Sequence, residues 1–226
     1  MNLIPVKQGF RYGYVDIFSK TIAIKPLFDS ASHFIEEFAK VKDGVRYGFI
    51  NERGHYVIEP KYEDASNFSE GLAKVRIDRK YGYVDKSGKV VIQPQFVACD
   101  DFKEGLAKIK DGDKYGYINK SGKVIIQPQF DIAENFSEDL ALIGLSGKYY
   151  GWKYGYIDKT GNIVIQPQYD VAKSFKEGVA LVSNGLWGFI DKKGKFVIKP
   201  QYNYSDSFSG GLAVVGNKNN FEWLYG

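Results

Sequence analysis

The sequence predicts an all-β protein, a tandem repeat of three-stranded antiparallel meanders stacked as an open β-array or solenoid. A closed propeller-like toroid is the alternative. Three observations lead there. An aromatic-Gly-aromatic triplet recurs, with its glycine at Gly13, Gly48, Gly82, Gly116, Gly155 and Gly188, spaced by 35, 34, 34, 39 and 33 residues. Around each triplet lie short runs of β-forming residues bounded by Gly, Asp, Asn and Pro. A lone meander of this length buries too little surface to be stable, so its neighbours must cover it.

One unit shows the reasoning for each element. Leu72-Ala-Lys-Val-Arg76 alternates with period two and reads as a first strand. Lys80–Asp85 reads as a second strand and Lys89–Gln93 as a third, both rich in β-branched and aromatic residues. Between them Asp85-Lys86-Ser87-Gly88 is a turn. The Asp side chain can cap the turn backbone, and Gly88 supplies a positive φ. Ser19 replaces that glycine in the first unit, which predicts a looser turn there. Pro94 has no amide donor and is expected to end the third strand. Gly82, inside a strand, implies that a neighbouring ring or backbone packs flat against the chain. In the linker before the Glu-Gly turn, Ala65 and Phe68 are expected to plug the core. Cys99 falls on the Ala65 position and reads as a small buried residue.

The repeat makes residues 1–226 one domain, with units at approximately 3–34, 35–68, 69–102, 103–136, 137–175 and 176–208 and a partial seventh at 209–226. Seven first strands are visible, from Leu3–Lys7 to Leu212–Gly216, followed by a degenerate second strand at Phe221–Tyr225. No unit is split between the termini, which favours the open array over a ring. Four aromatic positions recur in six units and absorb 24 of the 36 aromatic residues. The aromatic excess is therefore chemistry of the repeat, not of one site.

The recurring pattern Y/W-G-[YF]-[IV]-[DN]-K-x-G-K-x-V-I-x-P-Q-[FY], followed by F-x-E-G-L-A-x-V, closely resembles the bacterial WG (KWG) repeat family over about residues 3–216. Only Trp187-Gly188 keeps the tryptophan of the family's name; the other units carry Tyr. The resemblance implies a β-rich repeat protein with a binding or scaffolding role and no transferable catalytic residues.

Composition narrows the function classes. The single cysteine excludes an intrachain disulfide, a cysteine zinc cluster and a CxxC redox pair. His33 and His55 are too few for a histidine-rich metal site, so no metal and no cofactor are expected. No apolar run approaches the ~20 residues of a membrane-spanning helix. No signal-like core opens the chain, which makes the cytoplasm the default expectation. The net charge of +4, with only 5 Arg among 31 basic residues, disfavours nucleic acid as a partner. The turn carboxylates Glu36, Glu70, Glu104, Glu138 and Glu177 repeat along the chain, and are expected to form a row, not an acid–base pair.

Two surfaces are candidates for binding. Lys86, Lys120 and Lys159 sit at hairpin tips and would align as a basic ridge, with the turn glutamates in an acidic row elsewhere. Between Gly116 and Gly155 the spacing grows from 34 to 39, and the insertion holds Tyr149, Tyr150 and Trp152. Their aromaticity is not demanded by the repeat, and insertions in repeat proteins emerge on one face. The reading is a non-enzymatic scaffold for a protein or peptide. A carbohydrate or cell-envelope polymer is the alternative partner.

Overall fold

The computed structural model describes residues 2–146 and 151–217, and the backbone of 220–225. The described residues form seven antiparallel sheets and no helix. Two compact units divide the chain: Met1–Gly105 with Lys120–Gly122, and Leu106–Asn119 with Lys123–Gly226.

The third sheet shows how a repeat folds. Leu72–Ile77, Lys80–Asp85 and Val90–Phe96 form the predicted meander. A fourth strand, the residue pair Asp64–Ala65, is added from the linker and pairs with the first. Two residues are too short a run to show a strand period in the sequence. After the short strand the linker does turn. The Glu-Gly pair closes a tight two-residue hairpin, with φ of 54° at Glu70 and 85° at Gly71, bracketed by a Ser69–Leu72 bridge. Positive φ at both central residues is the geometry of a type I′ turn.

Pro94 does not end the third strand. Tyr81 pairs with Phe96 and Tyr83 with Ile92, so the third strand gains two residues against its partner's two-residue step. The strand bulges at Gln93-Pro94 and resumes, and the proline sits where no ladder donor is required. The bulge lies directly over Gly82. A Cβ there would stand 2.5 Å from the Ile92 carbonyl oxygen and 2.7 Å from the Pro94 nitrogen. What packs against the repeat glycine is therefore backbone, not a ring. The same approach recurs at Gly13, Gly48, Gly116, Gly155 and Gly188.

The core lies between successive sheets within each unit. One cluster joins Tyr14, Ile24 and Phe28 to Ala39, Val41 and Ile50, and another joins Phe49, Ile58 and Tyr62 to Ala65, Phe68 and Val75. At its centre the ring after each repeat glycine meets the linker phenylalanine. The pairs are Tyr14–Phe34, Phe49–Phe68, Tyr83–Phe102, Tyr117–Phe136, Tyr156–Phe175 and Phe189–Phe208, all with centroids 4.8–4.9 Å apart. Where this ring is tyrosine, its hydroxyl donates to a linker carbonyl: Tyr14 to Ser32, Tyr83 to Asp100, Tyr117 to Glu134 and Tyr156 to Lys173, at 2.5–2.8 Å. Burial raises the Tyr14, Tyr83 and Tyr156 hydroxyls far above the usual phenol range, so they remain donors. Cys99 is buried as expected, and burial pushes its thiol up to about 11.

Two glycine variants separate close approach from turn conformation. Gly82→Ala drives a Cβ into fixed backbone and is expected to cost about 2–3 kcal/mol. Gly112→Ala has open space but keeps a φ of 55°, and should cost about 1 kcal/mol. Urea unfolding of the two variants checks the order; equal losses would remove the close-approach argument.

Candidate interaction surface

The Glu-Gly hairpins carry a ladder of side chains. Each glutamate holds a positive φ, 51–54° at Glu36, Glu70, Glu104, Glu138 and Glu177. At Glu36, Glu70, Glu138 and Glu177 the carboxylate accepts an amide hydrogen from the turn that follows. Glu36 receives Gly71 N–H at 2.9 Å and Glu70 receives Gly105 N–H at 3.0 Å. Glu138 receives Gly178 N–H, and Glu177 receives both Gly210 and Gly211.

The hairpin-tip lysines join this ladder. Lys86 lies 3.6 Å from Glu36, Lys120 3.0 Å from Glu70, and Lys192 3.6 Å from Glu138. Lys159 pairs with Asp139 at 2.7 Å. Within each compact unit the expected basic ridge and acidic row are thus interleaved, not two separate surfaces. Asp139, which stands in the usual glycine position, takes a φ of 71° and gives Lys159 this extra carboxylate.

Each tip also seats on its neighbour. The turn aspartate or asparagine caps the backbone, as Asp85 does for Ser87 N–H and Lys89 N–H at 2.9 and 3.0 Å. The tip glycine then lies against the third-strand isoleucine of the preceding sheet. A Cβ at Gly54, Gly88, Gly122, Gly161 or Gly194 would meet Ile24, Ile58, Ile92, Ile126 or Ile165 at 3.0–3.4 Å. In the first unit, without that glycine, the positive φ moves to Lys20 at 55°.

The inserted segment lengthens one hairpin. Its strands, Ala141–Ser146 and Trp152–Ile157, pair as far as Ser146 with Trp152. Trp152 is 43% exposed at the mouth of this hairpin. Tyr149 and Tyr150 lie outside the described residues. In a meander the two turns leave opposite ends of the middle strand, so Trp152 and Lys159 stand at opposite ends of Trp152–Ile157. The structure does not bring the two candidate surfaces together.

A family model described as "WG containing repeat" matches residues 12–44, 47–81, 81–115, 115–149, 154–185 and 187–221. The chain belongs to the WG-repeat family. No curated protein matches it. Among solved structures it is similar to Hsv2p of Kluyveromyces lactis, with 11% identity, 84% of this chain and 71% of that one covered, and a TM-score of 0.50. A form of the same protein with loop 6CD replaced by a Gly-Ser linker gives 7% identity, coverage of 95% and 85%, and a TM-score of 0.52. The WD40 domain of Toxoplasma gondii coronin is more distant, with 8% identity, coverage of 98% and 77%, and a TM-score of 0.40. At these identities the Hsv2p likeness is one of fold alone, to a propeller-like architecture. The four-stranded sheets of the WG repeat match the strand count of a propeller blade.

Two polar features of this WG-repeat chain escaped sequence reasoning. Lys40, Lys74 and Lys108, in the first strands, donate to the carbonyls of Ala65, Cys99 and Ala133 at 2.9–3.1 Å. The same ammonium groups stand 5.4–5.6 Å from the ring centroids of Tyr47, Tyr81 and Tyr115. Their recurrence in the first-strand pattern was the available signal. The second feature is an open cleft of about 600 Å³ lined by Val45, Arg46, Glu63, Arg76 and Arg79. Glu63 lies 3.2 Å from Arg76 and 3.9 Å from Arg46, and accepts from the Arg79 backbone N–H. These arginines fall at different repeat positions, so no period revealed them. Among the described residues no cluster of His, Cys, Asp or Glu has metal-binding geometry, and no helix could cross a membrane.

The ladder makes stability acid-sensitive. Burial raises the Glu70 carboxyl, but the Lys120 ammonium and Gly105 N–H outweigh it and hold the value below 4.5. Glu177 is lowered by the Gly211 and Gly210 N–H groups, and Asp139 by Lys159. A carboxyl lowered by folding stabilises fully above its unfolded value, and this contribution is lost as pH falls through the folded one. Melting temperature is therefore expected to drop as pH falls below the ordinary 4.5 of glutamate and 3.8 of aspartate. Glu70→Gln should melt lower at pH 7 and lose less on acidification; an unchanged acid slope would remove Glu70 from this account.

Proposed function

We propose that this chain is a non-enzymatic scaffold that binds a protein or peptide over an extended surface. The observation that carries the reading is how the repeat uses its polar groups. Turn glutamates, tip lysines and tyrosine hydroxyls join linkers and sheets to one another, which is structural work. Trp152 stands outside that pattern. It is a large ring, 43% exposed, on the hairpin that carries the insertion. Exposed aromatic anchors of this kind dominate interface energetics.

The displaced carboxylates support the same reading. Those displaced from their ordinary values among the described residues, such as Asp85, Asp158 and Glu177, are displaced downward. A general acid at neutral pH needs the opposite shift.

Peptide and glycan arrays probed with the full chain test the proposal. Binding to peptides is expected, with affinity lowered tenfold or more by Trp152→Ala and little changed by salt. Binding confined to glycans would replace the reading with the carbohydrate one. Binding that falls steeply with salt, and survives Trp152→Ala, would move the site away from the inserted hairpin. Reversing Lys86, Lys120 and Lys159 is a poor probe, since each reversal also places like charges together in the ladder.

A further inference from the structure

Outside the ladder, one place in the chain gathers positive charge without balancing it. Arg46, Arg76 and Arg79 line the open cleft of about 600 Å³ together with Val45 and a single carboxylate, Glu63. All five residues belong to the first compact unit. The equivalent place in other repeats is balanced. There Arg11 faces both Asp29 and Asp43, at 3.1 and 3.8 Å, Lys114 pairs with Asp131, and Lys153 pairs with Asp170. At the cleft three guanidinium groups share one carboxylate, which leaves +2 (three positive charges less one negative).

Glu63 holds the site together. Its N–H donates to the Arg76 carbonyl at 3.0 Å, and its Oε2 accepts the Arg79 N–H at 3.2 Å. The carboxylate lies 3.2 Å from Arg76 Nε and 3.9 Å from Arg46 Nη1. Arg76 also stands over the Tyr81 ring, its guanidinium carbon 5.9 Å from the centroid. Each guanidinium carries five N–H donors. Among the described residues none of the three groups donates a hydrogen bond.

The turn that carries Arg79 is an independent observation. Gly9-Phe10, Gly44-Val45 and Gly112-Asp113 make this turn in other units, with only the glycine at positive φ. Here Asp78 and Arg79 replace the pair, and both take positive φ, 49° and 64°. Arginine rarely adopts that conformation, and such outliers gather at functional sites. Asp78 is exposed and does not line the cleft.

We propose that the cleft binds a phosphate monoester carried on a peptide, that is, a phosphorylated serine, threonine or tyrosine side chain. Such a group carries about −1.5 to −2 charge at neutral pH and three acceptor oxygens. It matches three planar forks and the surplus charge of the cleft. A single carboxylate would leave one cation unmatched. The peptide carrier rests on the scaffold reading; the phosphate rests on the arginines alone.

The test uses the full chain and an array of peptides, each present with and without phosphate on its central hydroxyl residue. The strongest pair is then measured by fluorescence anisotropy. The phosphorylated member is expected to bind about tenfold more tightly, with the advantage shrinking as salt rises. Arg46→Gln and Arg76→Gln should each weaken phosphopeptide binding about fivefold and leave the plain peptide unchanged. Arg76→Lys should weaken it too, because a point charge lacks the fork. Arg79→Gly removes the guanidinium and relieves the positive φ. It should bind phosphopeptide less tightly yet melt no lower than the parent. Arg46→Gln, a half-exposed surface change, carries the test if another variant does not fold.

Equal binding of phosphorylated and plain peptides, or an advantage untouched by all the arginine changes, would overturn the proposal. Tighter binding of inorganic phosphate, or of vesicles containing phosphatidic acid, would overturn it in favour of a free phosphate or a lipid headgroup. If only the cleft is wrong, plain peptides still bind in a manner sensitive to Trp152→Ala. Loss of all peptide binding, with inorganic phosphate still held at the arginines, would count against the scaffold reading and so against the peptide carrier.

Discussion

The structure depends on one contact made six times, the ring after each repeat glycine against the phenylalanine of the following linker. Six ring pairs at 4.8–4.9 Å fix how each sheet meets the linker that follows it. A pair in this geometry adds about 0.5–1.5 kcal/mol beyond the area it buries. Where the ring is tyrosine, the hydroxyl also donates to a linker carbonyl, as at Asp100 and Lys173. Phe49 and Phe189 show that stacking alone supports the arrangement. The hydroxyl is an addition to the ring contact, not its cause.

The repeat glycine is the constraint that lets this ring in. A third strand without a bulge would lie at ordinary ladder distance from the second. The bulge at Gln93-Pro94 instead presses backbone onto Gly82 and leaves the flanking Tyr81 and Tyr83 paired with Phe96 and Ile92. Proline suits the bulge because the missing donor would have had no ladder partner. Glycine and proline are therefore one device in two strands, and this is why they recur together, 12 residues apart in five units and 13 in the first.

Much of this was legible because repetition amplifies weak signals. A single Lys80-Tyr-Gly-Tyr-Val-Asp85 run says little; six copies in register identify the strands, the turns and the buried aromatics. The features that stayed hidden are those with no period in sequence. Asp64–Ala65 is too short a strand to alternate, and Pro94 looked like a terminator because a bulge is a property of two strands at once. The joining of Lys120 to Glu70 was invisible for another reason. Both rows were visible, but their distance depends on how sheets stack, which the spacing within one unit does not encode. Trp152 was found by its departure from the pattern. Arg46, Arg76 and Arg79 were missed because the three fall at different places in the repeat, so no single spacing groups them.

The ladder also bears on where a partner can bind. A lysine paired with a turn carboxylate is half neutralised, and its exposed pair contributes little to stability in water. Removing it for a partner costs little, but it also offers the partner little uncompensated charge. An acidic ligand would have to displace carboxylates that are already held by backbone amides, as Glu177 is by Gly210 and Gly211. A cationic group arriving at an amide-held carboxylate displaces nothing. The ladder is thus better suited to receive lysines than to present them. For the scaffold we propose, this turns attention from the tip lysines to the points where the repeat changes.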